Sequence, residues 1–298
     1  MKRITYSTIM VMLFAVGFMA CQPKSDGEKQ ADGEEAKAHP FKEVLTFHSS
    51  FDGDTKADFA NGDASMYTAP SRRALDSAQA GMHNADHSIE AGKGKFGDAF
   101  RFGKKSRTVV YYKSKDNIAF DSTGWSGTIS FWLSLDPATD LEPGFTDPIQ
   151  ITDVSYNDAS IWVDFTKENP RDFRLGVFGD LDVWSQDTLL TSKDEEMEKR
   201  MVRVKNPPFT SSTWTHIAIS YSDLGTAESS ASLFVDGEKI GSIIGVDDPF
   251  TWSLDQSNIY LGLSFIGMMD EFSIFNRPFS DDEVKQLYGL EGGVKSIL

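Results

Sequence analysis

The sequence predicts an all-β protein in which two antiparallel sheets pack as a sandwich, with one short helix near the C-terminus. Three observations carry this expectation. Apolar and polar residues alternate with a period of two along many short segments, and turn residues punctuate those segments. Only one run, after Ser280, has the periodicity and caps of a helix.

The alternation is clearest in residues 128–135, where Ile129, Phe131, Leu133 and Leu135 share one face and Ser130, Trp132 and Ser134 the other. Residues 160–166 repeat it, with Ile161, Val163 and Phe165 opposite Trp162 and Asp164. Ile217/Ile219/Tyr221 and Ile259/Leu261/Leu263 follow the same rule, which marks half-buried antiparallel strands. Asp236-Gly237 supplies the positive φ angles of a tight hairpin. Near the end, Ser280 and Glu283 form a capping box. Asp281 and Asp282 suit the positive end of the helix dipole, and Gly289 stops the helix.

The N-terminus reads as an address. Lys2 and Arg3 precede an apolar run from Ile4 to Ala20, and the composition turns polar directly after Cys21, the only cysteine. A basic start, a short apolar segment and a small residue before the cut form the pattern of a secretory signal. With cysteine next in line, the segment resembles the lipobox of a bacterial lipoprotein, from which Phe18 and Met19 depart. The run is short for a membrane span of about 20 residues, and a single cysteine forms no disulfide within the chain. Cleavage would leave Cys21 as the lipid-bearing N-terminus, with a signal at 1–20 and a charged linker at 21–42. The folded domain would occupy 43–290, followed by a tail at 291–298. That places the protein in the bacterial cell envelope, on the outer membrane or the cell surface, touching the membrane through lipid alone.

A net charge of −16 argues against nucleic acid, whose phosphates require clustered Lys and Arg. Twenty-two phenylalanines supply a large core, which must hold without disulfides.

Four stretches carry a family likeness. The run from Gly267 through Asp270-Glu271 and Asn276-Arg277-Pro278 to Tyr288 resembles the closing strand and helix of LamG-like jelly-roll domains in the concanavalin A-like lectin/glucanase superfamily. Gly94–Phe102, Gly127–Trp132, and Trp214–Ala218 with Leu233–Gly237 match further strands in the right order. The resemblance spans roughly residues 44–289. It implies a concanavalin A-like jelly roll and a carbohydrate ligand. Residues 136–208 match poorly and carry the charged run 193–200.

Chemistry is sparse. The Glu-x-Asp-x-x-Glu strand of laminarinase-like relatives, which sets acid and nucleophile on one face, has no counterpart here, so no catalytic residue is assigned. His83 and His87 lie in a segment without helical character and suggest surface histidines rather than a zinc site. Calcium, which takes six to eight oxygens, is the one cofactor expected. The resemblance brings Asp52 and Asp54, after the first strand, beside Asp270 on the last, where relatives hold a structural ion. Trp132 and Trp162 both take the polar parity of their strands and would stack on sugar rings if exposed on one sheet. Asp164 would accept hydroxyl hydrogens, and His216 shares that parity. The expected function is non-catalytic recognition of a glycan. A structural or protein-adhesion module is the alternative, and a hydrolase stands behind both.

Overall fold

The computed structural model describes residues 39–186 and 193–298; Cys21, the signal and the linker up to residue 38 lie outside the described residues. Two antiparallel sheets form the sandwich. The first runs Glu238–Ile244, Ser230–Val235, Thr215–Leu224, Trp125–Ser134, Gly267–Phe275, Leu45–Ser49 and Phe59–Ala60. Ala99–Phe102 and His87–Glu90 extend it from the start of Gly267–Phe275. The second sheet runs Met201–Val204, Phe173–Phe178, Ser160–Phe165, Thr146–Thr152, Asn258–Leu263, Val109–Lys113, Tyr67–Ala69 and Gln79–Ala80. Neighbouring strands are often distant in sequence, so the central strands are held by long-range pairing.

The core lies where the alternation puts it. Ile129, Phe131, Leu133, Ile217 and Ile219 face inward from the first sheet, and Ile161, Val163 and Leu261 from the second, all buried in one cluster. Each such side chain contributes roughly 1.5–3 kcal/mol by leaving water. The Asp236-Gly237 hairpin has φ of 50° and 78°. Ser280 caps the helix Asp281–Tyr288, its hydroxyl accepting from the Glu283 amide while the Glu283 carboxylate accepts from the Ser280 amide. That helix buries Val284 and Leu287 against the outer face of the first sheet, beside Phe234, Phe275 and Phe279.

Packing reaches past residues 43–290 at both ends. Phe41 stacks on Phe279 at 4.9 Å, and Val294 is buried while its amide donates to Glu271 Oε2. Two expectations change. His87 is a buried strand residue against Phe100 and Phe102 rather than a surface histidine, because the strand His87–Glu90 turns its first residue inward. The run after residue 192 forms the helix Lys193–Lys199. The charge pattern suits a solvated loop or helical turn; the helix is found, but it is only partly solvated, since Arg200 pairs inside with Glu196 at 3.1 Å and Asp248 at 2.8 Å.

Candidate functional site

The two tryptophans keep their predicted parity but lie on opposite sheets, Trp132 on the first and Trp162 on the second. One shared sugar platform is therefore excluded. Neither indole is open: Trp132 is 5 % exposed and Trp162 3 %.

Trp132 is covered by the C-terminal helix. Tyr288 stacks on it at 5.5 Å, Phe96 meets it edge-on, and Lys95 Nζ sits 4.5 Å from the ring centre. His216 lies directly across the ladder from Trp132 and is buried, its Nε2 2.9 Å from Ser130 Oγ and its Nδ1 without a partner. Burial, reinforced by the Lys95 charge, lowers its pKa to about 3, so the ring is neutral. Trp132 and His216 belong to the packing under the helix.

Asp52 and Asp270 close on one glycine loop. A Cβ on Gly97 would lie 2.1 Å from Asp52 Oδ1, and one on Gly94 2.7 Å from Asp270 Oδ2. Asp52 accepts from the Asp98 amide and from Lys295 Nζ, and Asp270 from the amides of Phe96 and Glu271. Burial, and then the repulsion of Asp52, raise Asp270 to about 7. Asp54 does not join them. Its Oδ1 closes its own turn, accepting from the Thr55 and Lys56 amides. Among the described residues no three His, Cys, Asp or Glu side chains are grouped to hold a metal.

The outer face of the second sheet differs. A cavity of about 290 Å³ opens there between Trp162 and Asp164 on one strand and Asp147 and Gln150 on the next. Arg174 comes from the third strand. The Trp162 ring lies flat over Gly176, where a Cβ would come within 2.2 Å of it, and stacks on Phe178 at 5.8 Å. Trp162 Nε1 donates to the Tyr156 carbonyl at 2.6 Å, fixing the loop at the rim. Met197 of the inserted helix closes one side. Trp162 is thus the wall of a pocket. Two of its lining rings are open to solvent: Phe145, 51 % exposed, and Tyr156, 44 % exposed.

Asp164 is held by Arg174 in a two-bond fork, Nε to Oδ1 at 2.8 Å and Nη2 to Oδ2 at 2.5 Å. Arg72 donates to Gln150 Oε1 at 2.5 Å and to the Val154 carbonyl. Among the described residues Asp147 has no hydrogen-bond or ion-pair partner. Burial raises its pKa well above the carboxylate range, and repulsion from Asp164 adds to this against the pull of Arg72 and Arg174. A carboxyl in that condition gains most from a ligand hydroxyl.

Sequence parity misses Asp147, because strict alternation from Ile149 and Ile151 would send it into the core. The ladder register shifts there: Val163 faces Ile149 but Phe165 faces Thr146, so the Thr146–Thr152 strand carries one extra residue. A bulge of this kind re-aims a side chain, and it brings Asp147 to the outer face beside Asp164. Phe145 and Tyr156 leave no periodic signal, since they flank strands rather than sit in them.

Residues 108–285, more than half of the chain, match the family of the concanavalin A-like lectin/glucanases superfamily. The chain belongs to this superfamily. Solved structures of the same fold include domain 4 of AbnA, a GH43 extracellular arabinanase from Geobacillus stearothermophilus, in complex with arabinotriose. Identity is 17 % and the TM-score 0.50, over 82 % of this chain and 97 % of that one. A botulinum neurotoxin type C structure, described as dependent on two ganglioside molecules for cell entry, matches at 12 % identity and TM-score 0.54 over 87 % of this chain. The binding domain of botulinum neurotoxin DC, in complex with rat synaptotagmin II, matches at 10 % identity and 0.53 over 87 %. This chain spans about half of each neurotoxin chain, 52 %. No curated protein matches it. At these identities the likeness to the structures is one of fold.

Proposed function

We propose that this chain is a lipid-anchored, extracytoplasmic module that binds a glycan, without catalysis, in the pocket on the second sheet. The observation that carries this reading is the cavity itself. Two exposed aromatic rings stand at its mouth, and an unpartnered carboxyl, a glutamine and two arginines converge on its walls. Aromatic rims with a few polar groups suit pyranose and furanose rings, whose faces are apolar and whose edges carry hydroxyls. The superfamily and the arabinotriose-bound fold relative support a sugar. Arg174 engages both oxygens of Asp164, which favours recognition over an acid–nucleophile pair. A protein partner is the alternative, and the enclosed shape of the pocket speaks for a small repeating unit instead.

Attachment through Cys21 and a structural calcium at Asp52 and Asp270 are parts of the same proposal. The ion is supported by two carboxylates converging on one loop, where Lys295 pairs with Asp52 and Asp58 and not with Asp270, and backbone carbonyls would complete its shell. A glycan array with the full chain tests the function. Phe145→Ala and Tyr156→Ala should each weaken any glycan that binds, and binding untouched by both would remove the pocket from consideration. Cys21→Ser should release the protein from membranes.

A further inference from the structure

Resting on the pocket reading, we infer that the glycan is acidic, because the pocket runs directly into a groove walled by arginines. The groove, about 620 Å³, shares Arg72 and Leu263 with the pocket and continues past Arg73 and Arg107 to the hydroxyl-bearing Ser106 and Ser264. Three arginines on one groove are unexpected in a chain of net charge −16 with 29 basic and 45 acidic residues. Several other cations on this surface meet carboxylates: Lys104 with Asp86 at 2.9 Å, Lys115 with Asp255 at 2.8 Å, Arg203 with Asp172 at 3.0 Å. Arg73 and Arg107 are exposed and have no such partner among the described residues. Asp86, which accepts from Ser106 of the groove, is paired with Lys104.

Arg72 joins the two halves. Two of its N–H groups are spent on Gln150 and the Val154 carbonyl, and its guanidinium lies 4.6 Å over the Tyr260 ring, which holds it in place. Its remaining donors are available at the junction. A guanidinium fork matches a carboxylate or sulfate in a way an ammonium does not. A sugar ring seated between Phe145 and Tyr156 would leave the next residue of an oligosaccharide over Arg72, with its acid group toward Arg73 and Arg107. The shared chemistry is therefore a polysaccharide whose repeating unit carries a carboxylate or a sulfate.

Calorimetric titration of the full chain with polygalacturonate and with its methyl ester tests this, since esterification removes the charge and keeps the ring. The acid form should bind at least about tenfold tighter, as expected for one charge-assisted hydrogen bond, and the gap should narrow as salt is raised. Dextran sulfate against dextran asks the same of sulfate, and preference in either pair supports the inference. Arg73→Ala with Arg107→Ala, both at exposed positions, should abolish the preference. Equal binding within both pairs, or a preference that survives the double variant, overturns it. Neutral polymers that bind and are weakened by Phe145→Ala would then leave the pocket reading standing alone. Polyacrylate binding as tightly as polygalacturonate would reduce the groove to charge attraction and overturn the acidic sugar. No binding of any polymer overturns both readings.

Discussion

The outer faces of the two sheets carry the same kind of residue and use it in opposite ways. On the first sheet Trp132 and His216 lie under a helix, with Tyr288 stacked on the indole. On the second sheet Trp162 backs a cavity, with Arg174 above it and Phe145 and Tyr156 left in water. Both tryptophans are equally out of phase with the core. What separates them is the segment that comes to lie over each: an amphipathic helix with Val284 and Leu287 to bury, or an insertion whose Met197 packs on Trp162 and Phe178 and leaves a cavity beside them. A covered face stabilises the fold, and an incompletely covered one leaves a cavity.

This contrast predicts different responses to substitution. The largest effect belongs to Trp132→Ala, which should cost about 3–5 kcal/mol, as for other buried aromatic truncations, and leave glycan affinity unchanged. Chemical denaturation and titration of the same variant check it, and a loss of binding at unchanged stability would invert the assignment of the two faces.

Next comes acid sensitivity. His216, His48 and His87 are held neutral by burial, with pKa values lowered from 6.5 to about 3, 4 and 4. The unfolded chain takes up protons as pH falls through 6.5 while the folded chain does not, so stability is complete above that pH and is lost progressively below it. The unfolding midpoint should drop between pH 6.5 and 4, and His216→Gln should flatten part of that slope. An unchanged slope would mean that His216 is hydrated.

The clasp beside Trp132 works in the other direction. Asp270 is raised to about 7 and Glu271 to about 8, each first by burial and then by a neighbouring acid, Asp52 for the former and Asp270 for the latter. Their folded forms keep protons that the unfolded chain gives up near pH 4, so without a cation the contribution of these two groups to stability falls as pH rises from about 4.5 to 8, opposing that of the histidines. Calcium would offset this by favouring ionised Asp270. Chelator should therefore lower the melting temperature more at pH 8 than at pH 5, and Asp270→Ala should remove the difference. A melting temperature indifferent to chelator at both pH values would leave Lys295 as the only cation in the clasp.

The smallest effect on stability is expected at the pocket mouth. Phe145→Ala and Tyr156→Ala should stay within about 0.5 kcal/mol of the parent, as exposed positions do, while lowering glycan affinity several-fold. A stability loss as large as that of Trp132→Ala would show that the rim is packed.

Much of the fold is legible in the residues themselves. The period of two along 128–135 and 160–166 is a local property of side chains on a pleated backbone, and Ile129, Phe131, Ile161 and Val163 obey it without exception. The hairpin at Asp236-Gly237 and the capping box at Ser280 depend on contacts within a few residues, so they too are written locally. The site is different. Parity says which side of a strand Trp132 and Trp162 occupy, but their separation onto opposite sheets depends on pairing between strands far apart in sequence, as when Trp132 pairs with Asp270 and Trp162 with Gln150 and Gly176. Asp147 reaches the pocket only through a bulge that exists in register with Phe165. Arg72 and Arg73 meet Arg107 only because the segments that carry them fold beside the end of Asn258–Leu263. The sequence by itself determined strand, turn, cap and core, because those follow from local sterics and from the aversion of apolar groups for water. Tertiary structure alone decided which outward face is sealed and which is open, because that depends on what the rest of the chain lays across it.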